Sequence, residues 1–117
     1  GVGVLVGEAT FNALSGWVCR EIDRVKVKGK DQAIAIYEPL GLARALDAAV
    51  QEELQEWNEA LRRYRNQGWD KARAALKTLQ LKHPDRKLYA LYLERIEALQ
   101  GQTLGPQWDG STQFETK

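Results

Sequence analysis

Trp17-Val18-Cys19-Arg20-Glu21-Ile22-Asp23-Arg24-Val25-Lys26-Val27, then Lys28-Gly29-Lys30-Asp31, then Gln32-Ala33-Ile34-Ala35-Ile36-Tyr37-Glu38, reads as two strands joined by a tight basic turn. Gly29 can take the positive φ that such a turn asks for. The apolar parity of the first strand changes along its length. Val18 and Ile22 point one way, whereas Val25 and Val27 point the other, since side chains alternate between faces with a period of two. A bulge or kink near Asp23-Arg24 reconciles the two sets. In the return strand Ile34 and Ile36 share one face, and Ala33, Ala35 and Tyr37 share the other.

Ahead of the hairpin, Val2 to Val6 is a short β-branched apolar run that suits a strand covered on both faces. Gly7 to Leu14 reads as a short helix with Gly7 as N-cap, Glu8 at the positive end of the helix dipole and Ser15-Gly16 as its stop. The spacing Gly1-x-Gly3-x-x-x-Gly7 places its third glycine wrongly for a dinucleotide loop, so these glycines read as strand and cap positions. Behind the hairpin, Pro39-Leu40-Gly41 reads as a boundary, after which Ala, Leu, Glu, Arg and Gln dominate, all strong helix formers. Leu46, Val50, Leu54, Trp57, Leu61 and Tyr64 step by three and four, forming one apolar stripe on a long helix. Asn66-Gln67-Gly68 breaks it. Trp69, Ala72, Leu76 and Leu79 mark a second helix, broken at His83-Pro84-Asp85. Leu88, Leu91, Tyr92, Ile96 and Leu99 mark a third, from about Asp85 to Gln100 and ended by Gly101. Gln102 to Lys117 shows no periodicity and reads as a tail pinned by Trp108 and Phe114.

Composition bounds what the chain can do. Its 117 residues suit one small domain, with 44% hydrophobic and 28% charged side chains. Seventeen basic residues against sixteen acidic ones argue for neither nucleic acid nor a membrane surface as partner. Locally, Arg20 to Lys30 holds five basic and two acidic residues, which attracts anions. One cysteine and one histidine, Cys19 and His83, close no disulfide and build no ordinary zinc site. Cys19 reads as an inert buried thiol in a strand and His83 as a turn-capping residue, with no second group from which to assemble a triad. No apolar run reaches the roughly 18 residues of a membrane span, no signal peptide is visible, and the reducing cytoplasm fits. The first residue is Gly and there is no Met, so the chain reads as the C-terminal part of a longer protein. Strands cut from a larger sheet leave backbone groups unpaired. Residues 1–38 are therefore expected to pair with another copy, to swap, or to pack poorly.

The basic turn has two readings. Lys-Gly-Lys at a hairpin tip can be solvated charge that protects a strand edge. It can also be a phosphate contact, because lysine is a compact point charge and Gly29 lets backbone approach closely. Three segments carry a family resemblance: Val4-Leu5-Val6-Gly7-Glu8-Ala9-Thr10, Arg20-Glu21-Ile22-Asp23-Arg24-Val25-Lys26-Val27-Lys28-Gly29-Lys30, and Ala35-Ile36-Tyr37-Glu38-Pro39-Leu40. They resemble the C-terminal part of the catalytic domain of bacterial class III adenylate and guanylate cyclases. The resemblance implies a ferredoxin-like mixed sheet working as a head-to-tail dimer. It also implies conversion of ATP or GTP to the 3′,5′-cyclic nucleotide and pyrophosphate with Mg2+ or Mn2+. In that family the first lysine of the turn reaches the nucleotide phosphates, which here is Lys28. Arg24, Lys26 and Lys30 then read as solvated or fold-supporting. The family's metal-binding aspartates, base-recognising residues and transition-state Asn and Arg have no counterpart among these 117 residues. The segment alone is therefore expected to bind no metal and turn over no substrate.

Trp57, Ala60, Leu61, Tyr64, Gly68, Trp69, Ala72, Leu76, Leu79 and Pro84 resemble a tetratricopeptide repeat, with the first helix one residue out of register across Asn66-Gln67-Gly68. Small Ala72 lets two antiparallel helices approach. The expected fold class is thus α+β. A cyclase remnant over residues 1–40 precedes a tetratricopeptide-like helical hairpin with an extra helix over 41–101, and 102–117 is an extended tail ending past Pro106-Gln107-Trp108-Asp109-Gly110. The aromatics read first as helix-packing core; Trp57, Tyr64, Trp69 and Trp108 are the candidates for an interaction surface. The helical part is expected to regulate or dimerise the parent by packing on its own cyclase domain or on a second copy. The other reading makes it a helical-repeat interaction module with no nucleotide role.

Overall fold

The computed structural model describes residues 5–27, 32–102, 104–105 and 108–114. The chain is mixed α+β. It divides into a sheet unit, residues 2–48 with 111–117, and a helical unit, residues 49–110. In chain order the helical unit is therefore inserted between the third and fourth strands of the sheet.

The sheet unit contains β1 (Val6–Gly7), α1 (Glu8–Ala13), β2 (Trp17–Val27), β3 (Ile34–Leu42) and β4 (Thr112–Phe114). The strand order is β1-β3-β2-β4, with β1–β3 and β3–β2 antiparallel and β4 parallel to β2. Helix α1 starts after Gly7 with Glu8 in its first turn, as its sequence dictates. Its Phe11 ring stacks on Tyr37 of β3 at 4.2 Å, which covers one face of the sheet. The chain reverses into β2 at Gly16, whose φ of +78° is costly for residues with a Cβ.

The parity change in β2 has the expected cause, one residue earlier than expected. The register runs Glu21↔Tyr37 and then Asp23↔Ile36, so Ile22 is the extra residue rather than Asp23 or Arg24. Arg20, Asp23 and Val25 thereby share a face with Glu38, Ile36 and Ile34, while Glu21 and Arg24 share the other face with Tyr37 and Ala35. A second irregularity, between Val18 and Cys19, leaves Leu40 without a rung.

Two expectations for this unit are corrected. The strand expected over Val2–Val6 is described only at Val6–Gly7. Leu5 is 50% exposed and not covered on both faces, and Val2 to Val4 lie outside the described residues. The return strand does not stop at Glu38. It passes through Pro39 to Leu42, so Pro39-Leu40-Gly41 is strand. Proline fits there because it sits beside the Leu40 irregularity, where the ladder is already interrupted. The tail, read as extended and pinned by Trp108 and Phe114, contributes β4, which joins the sheet beside Val25 to Val27.

The helical unit packs α2 (Ala48–Arg65, whose first residue belongs to the sheet unit), α3 (Trp69–Lys82) and α4 (Lys87–Gln100) around one core. Trp57, Ala60, Leu61 and Tyr64 come from α2, Ala72, Leu76 and Leu79 from α3, and Tyr89, Tyr92 and Ile96 from α4. Trp57 meets Tyr92 edge-on at 5.0 Å, and Tyr64 meets Tyr92 at 4.9 Å. Each such ring removes about 150–250 Å2 from water, and edge contacts add further attraction. Helix α2 ends in paired 6→1 and 5→2 bonds. Gly68 N donates to Arg63 O at 2.9 Å and Gln67 N to Tyr64 O at 3.0 Å. The left-handed position of that cap is Gln67, with φ +62°, not the adjacent glycine. Ala72 is fully buried as expected.

Two of the stripes need correction. Leu46 is not on the long helix: it ends a 3-10 turn (Ala43–Ala45) in extended conformation, and α2 begins two residues later. In α4 the buried face is Tyr89, Tyr92 and Ile96, while Leu91 is 42% exposed.

Candidate functional site

The hairpin is the candidate the sequence favours. Its two strands pair up to the rung Val25↔Ile34, and the turn that joins them, Lys28 to Asp31 with the phosphate candidate Lys28, lies outside the described residues. What is described is the support beneath it. Arg20, 6% exposed, pairs across the strands with Glu38, its register partner. The guanidinium donates through Nη2 at 2.5 Å and Nε at 3.1 Å to Glu38 Oε1. Arg24 Nη2 lies 3.9 Å from Glu21 Oε2, and its backbone N–H donates to Asp23 Oδ1 at 2.8 Å. Two of the five basic side chains between residues 20 and 30 are thus held by carboxylates. Arg20 is a buried brace and not a ligand for an outside anion. The residue the sequence reading missed is Glu38, eighteen positions from Arg20. Setting the strands in register would have placed the pair face to face.

The four aromatic candidates separate on burial. Trp57 and Tyr64 lie wholly inside the helical core and present no ring to a partner, which corrects their place as surface residues. Trp69 and Trp108 are half-buried and pack on that core. Their rings lie 5.8 Å apart, and Tyr64 is 5.7 Å from Trp69 and 5.5 Å from Trp108. Trp69 also borders an open cleft of about 450 Å3 at the α2–α3 turn, together with Arg63, Gln67, Lys71 and Gln100. Arg63 is engaged with Glu59 at 3.0 Å, and Gln67 Nε2 donates to Gly105 O at 2.8 Å. A second open groove of about 400 Å3, between α2 and α3, is lined by Gln55, Glu56, Glu59, Ala75 and Thr78.

A buried polar cluster holds one end of the helical unit. Glu53, 5% exposed, accepts from Arg86 Nε at 3.0 Å and Nη2 at 3.2 Å, and from the Tyr89 hydroxyl. His83 Nε2 is 3.8 Å away. Burial alone pushes the Glu53 carboxyl up. The hydrogen bonds from Arg86 and Tyr89, with the charges of Arg86 and His83, outweigh burial and hold it below the usual carboxylate value. The same pairing, against burial, raises Arg86 above its ordinary value. His83 is the C-cap of α3, its backbone N–H donating to Leu79 O at 2.8 Å, which is the turn role its sequence implies. No sequence signal marked Glu53, since its partners are brought to it only by the fold of α3 and α4.

Cys19 is half-buried rather than buried, and desolvation pushes its thiol up, away from the reactive thiolate. Among the described residues no three His, Cys, Asp or Glu side chains are placed to hold a metal ion. Also among them, no helix is long and apolar enough to cross a membrane. Comparison of the chain with family models, with characterised proteins and with solved structures finds no match in any of the three.

Proposed function

We propose that the chain contributes the phosphate-gripping hairpin of a class III nucleotidyl cyclase, which forms a 3′,5′-cyclic nucleotide and pyrophosphate from ATP or GTP. The observation that carries the reading is the hairpin itself. The described part of the string, Arg20 to Val27, lies in β2, which pairs antiparallel with β3, and Lys28-Gly29-Lys30 lies between the two strands in the sequence. A buried Arg20–Glu38 brace ties the two strands together. Rigid strands that end in a short basic turn hold a cation where a polyphosphate can meet it at little cost in ordering. Lys28 is the residue assigned to that contact. Metal-assisted chemistry belongs to carboxylates elsewhere in the catalytic domain, and no step on this chain runs through a metal.

In this reading the helical unit is a tetratricopeptide-like appendage. It packs on its own cyclase domain or a second copy and sets when the catalytic domain is competent. A cytoplasmic setting follows, with the nucleotide as small-molecule partner. The test is steady-state cyclisation by the full-length gene product. Lys28→Ala is expected to lower kcat/KM about 10- to 100-fold, the loss of one charge-assisted phosphate contact of about 1.5–3 kcal/mol. Unchanged kinetics remove Lys28 from the site. Absence of any cyclic nucleotide from ATP or GTP removes the cyclase reading.

The cleft beside Trp69 favours a second reading, a helical-repeat interaction module. The exposed Lys71 on its rim separates the two. Lys71→Glu would weaken partner binding with helix content intact in that case, and would leave cyclisation untouched in the first.

A further inference from the structure

The buried core of the helical unit comes from α2, α3 and α4, and Trp108 is only half-buried where it packs against them. Among the described residues between α4 and β4 there is neither helix nor strand. What holds this segment at the α2–α3 turn is what holds a short bound peptide: one aromatic anchor and a few contacts that fix its register. The Trp108 ring lies 5.5 Å from that of Tyr64 and 5.8 Å from that of Trp69. Gln67, in the left-handed position of the α2 cap, donates through Nε2 to Gly105 O at 2.8 Å. Gly110 is buried with φ +81°, and a Cβ there would lie 2.5 Å from Arg65 Cγ. A larger residue at that position needs both a strained backbone and a displaced Arg65 side chain.

Two of the residues that hold the segment also line the open cleft of about 450 Å3. Gln67 and Trp69 form part of its wall, and Lys71 is exposed on its rim. The space beside the seated ring is therefore open to an approaching chain. An aromatic seat supplies affinity through buried ring area, and the polar groups beside it set the register of whatever the seat takes.

We propose that the Tyr64–Trp69 seat is a docking site for an extended segment of the form Trp-x-Gly, filled in this chain by its own Trp108-Asp109-Gly110. The ring is the anchor, and the Arg65 side chain requires the small residue two places on. The chain's own segment is an autoinhibitory contact. A partner's Trp-x-Gly segment enters by displacing Trp108, and its apparent affinity falls by the fraction of molecules in which the seat is taken. The proposal rests on the interaction-module reading and names the chemistry of the partner in it.

The test uses the whole 117-residue chain carrying Trp108→Ala and a synthetic peptide of residues 104–111. Binding is followed by the Trp69 indole and Gln67 side-chain amide resonances of the chain. The peptide is expected to move both in Trp108→Ala, and to bind it at least about tenfold more tightly than wild type, where a tethered competitor acts at an effective concentration on the order of millimolar. Peptides carrying Trp108→Ala or Gly110→Ala are expected to leave both resonances in place. Should the Trp108→Ala chain lose helix content, the Gly110→Ala chain decides: it keeps the ring and the seat, and is expected to bind the unaltered peptide more tightly than wild type does. No response of the folded variant to millimolar peptide, or an equal response to either altered peptide, overturns the docking site. Equal affinity for the wild-type and variant chains overturns the autoinhibitory contact. A partner lost in Lys71→Glu, with no peptide bound in these variants, leaves the interaction module standing and removes this seat from it.

Discussion

Replacing Glu53 with Gln probes the helical unit where its polar bonding is most concentrated. The side chain keeps its shape, but the charge that draws Arg86 and Tyr89 is gone. Breaking a buried ion pair by removing one partner costs about 3–5 kcal/mol. Here Glu53 is buried, while the Arg86 side chain is 35% exposed and can turn to water. The expected loss is therefore smaller, about 2–3 kcal/mol at pH 7, and the melting temperature of the helical unit falls on the order of 10 °C. The pH dependence has a definite sign. The folded-state pKa of Glu53 is held below its ordinary value, so its stabilisation is fully present above the unfolded pKa. It is lost as pH falls through the folded pKa. The gap between wild type and Glu53→Gln should thus be full at pH 7 and close progressively below about pH 4.5. Urea unfolding followed by circular dichroism at 222 nm measures both, with the urea dependence expected to be unchanged. A gap under about 0.5 kcal/mol at pH 7, within the range of ordinary surface substitutions, refutes the clamp. So does a larger gap that stays constant down to pH 3.

Arg20→Met leaves Glu38 buried with its cross-strand partner removed and should cost about 3 kcal/mol or more. The double variant Arg20→Met/Glu38→Leu should recover much of that, because an apolar pair needs no compensation; urea unfolding of both variants checks it. Ile96→Ala should destabilise by about 2–5 kcal/mol as a core cavity, whereas Leu91→Ala should stay within about 0.5 kcal/mol. Equal costs would mean the inward face of α4 is wrongly placed. Cys19 should react with a neutral thiol reagent more slowly at pH 7 in the folded chain than in urea, and should speed up only toward alkaline pH. Equal rates in the two states would contradict its desolvation.

Local physics made most elements readable. The parity change in Trp17–Val27 required a bulge, and α1 carried its own cap at Gly7. The spacing of Trp57, Leu61 and Tyr64 marked α2, as that of Ala72, Leu76 and Leu79 marked α3. Errors came where tertiary context overrides the local pattern. Leu46 fits the helical period but stands before the helix, because the chain first makes a 3-10 turn at Ala43–Ala45. Leu91 fits the apolar stripe of the third helix, of which Tyr89 is no part. The fold instead turns the Tyr89 ring inward, since its hydroxyl can be bonded to Glu53. Pro39 reads as a stop in any local scheme, yet the ladder accommodates it beside Leu40. The tail gave no period because its order is imposed from outside: one ring packs against Tyr64 and Trp69, and three rungs pair with β2. For the candidate site, the basic string was legible, but its true charge was not. That depended on Glu38 and Glu21 reaching Arg20 and Arg24 in the folded hairpin.

Titrating the 117-residue chain with Mg·ATP while following its amide resonances tests most directly whether this hairpin grips a polyphosphate. Shifts are expected at Val25 to Val27 and Gln32 to Ile34, weakening steeply with added salt and absent in Lys28→Ala. A spectrum unmoved at millimolar nucleotide, or shifts confined to residues 49–110, would contradict it.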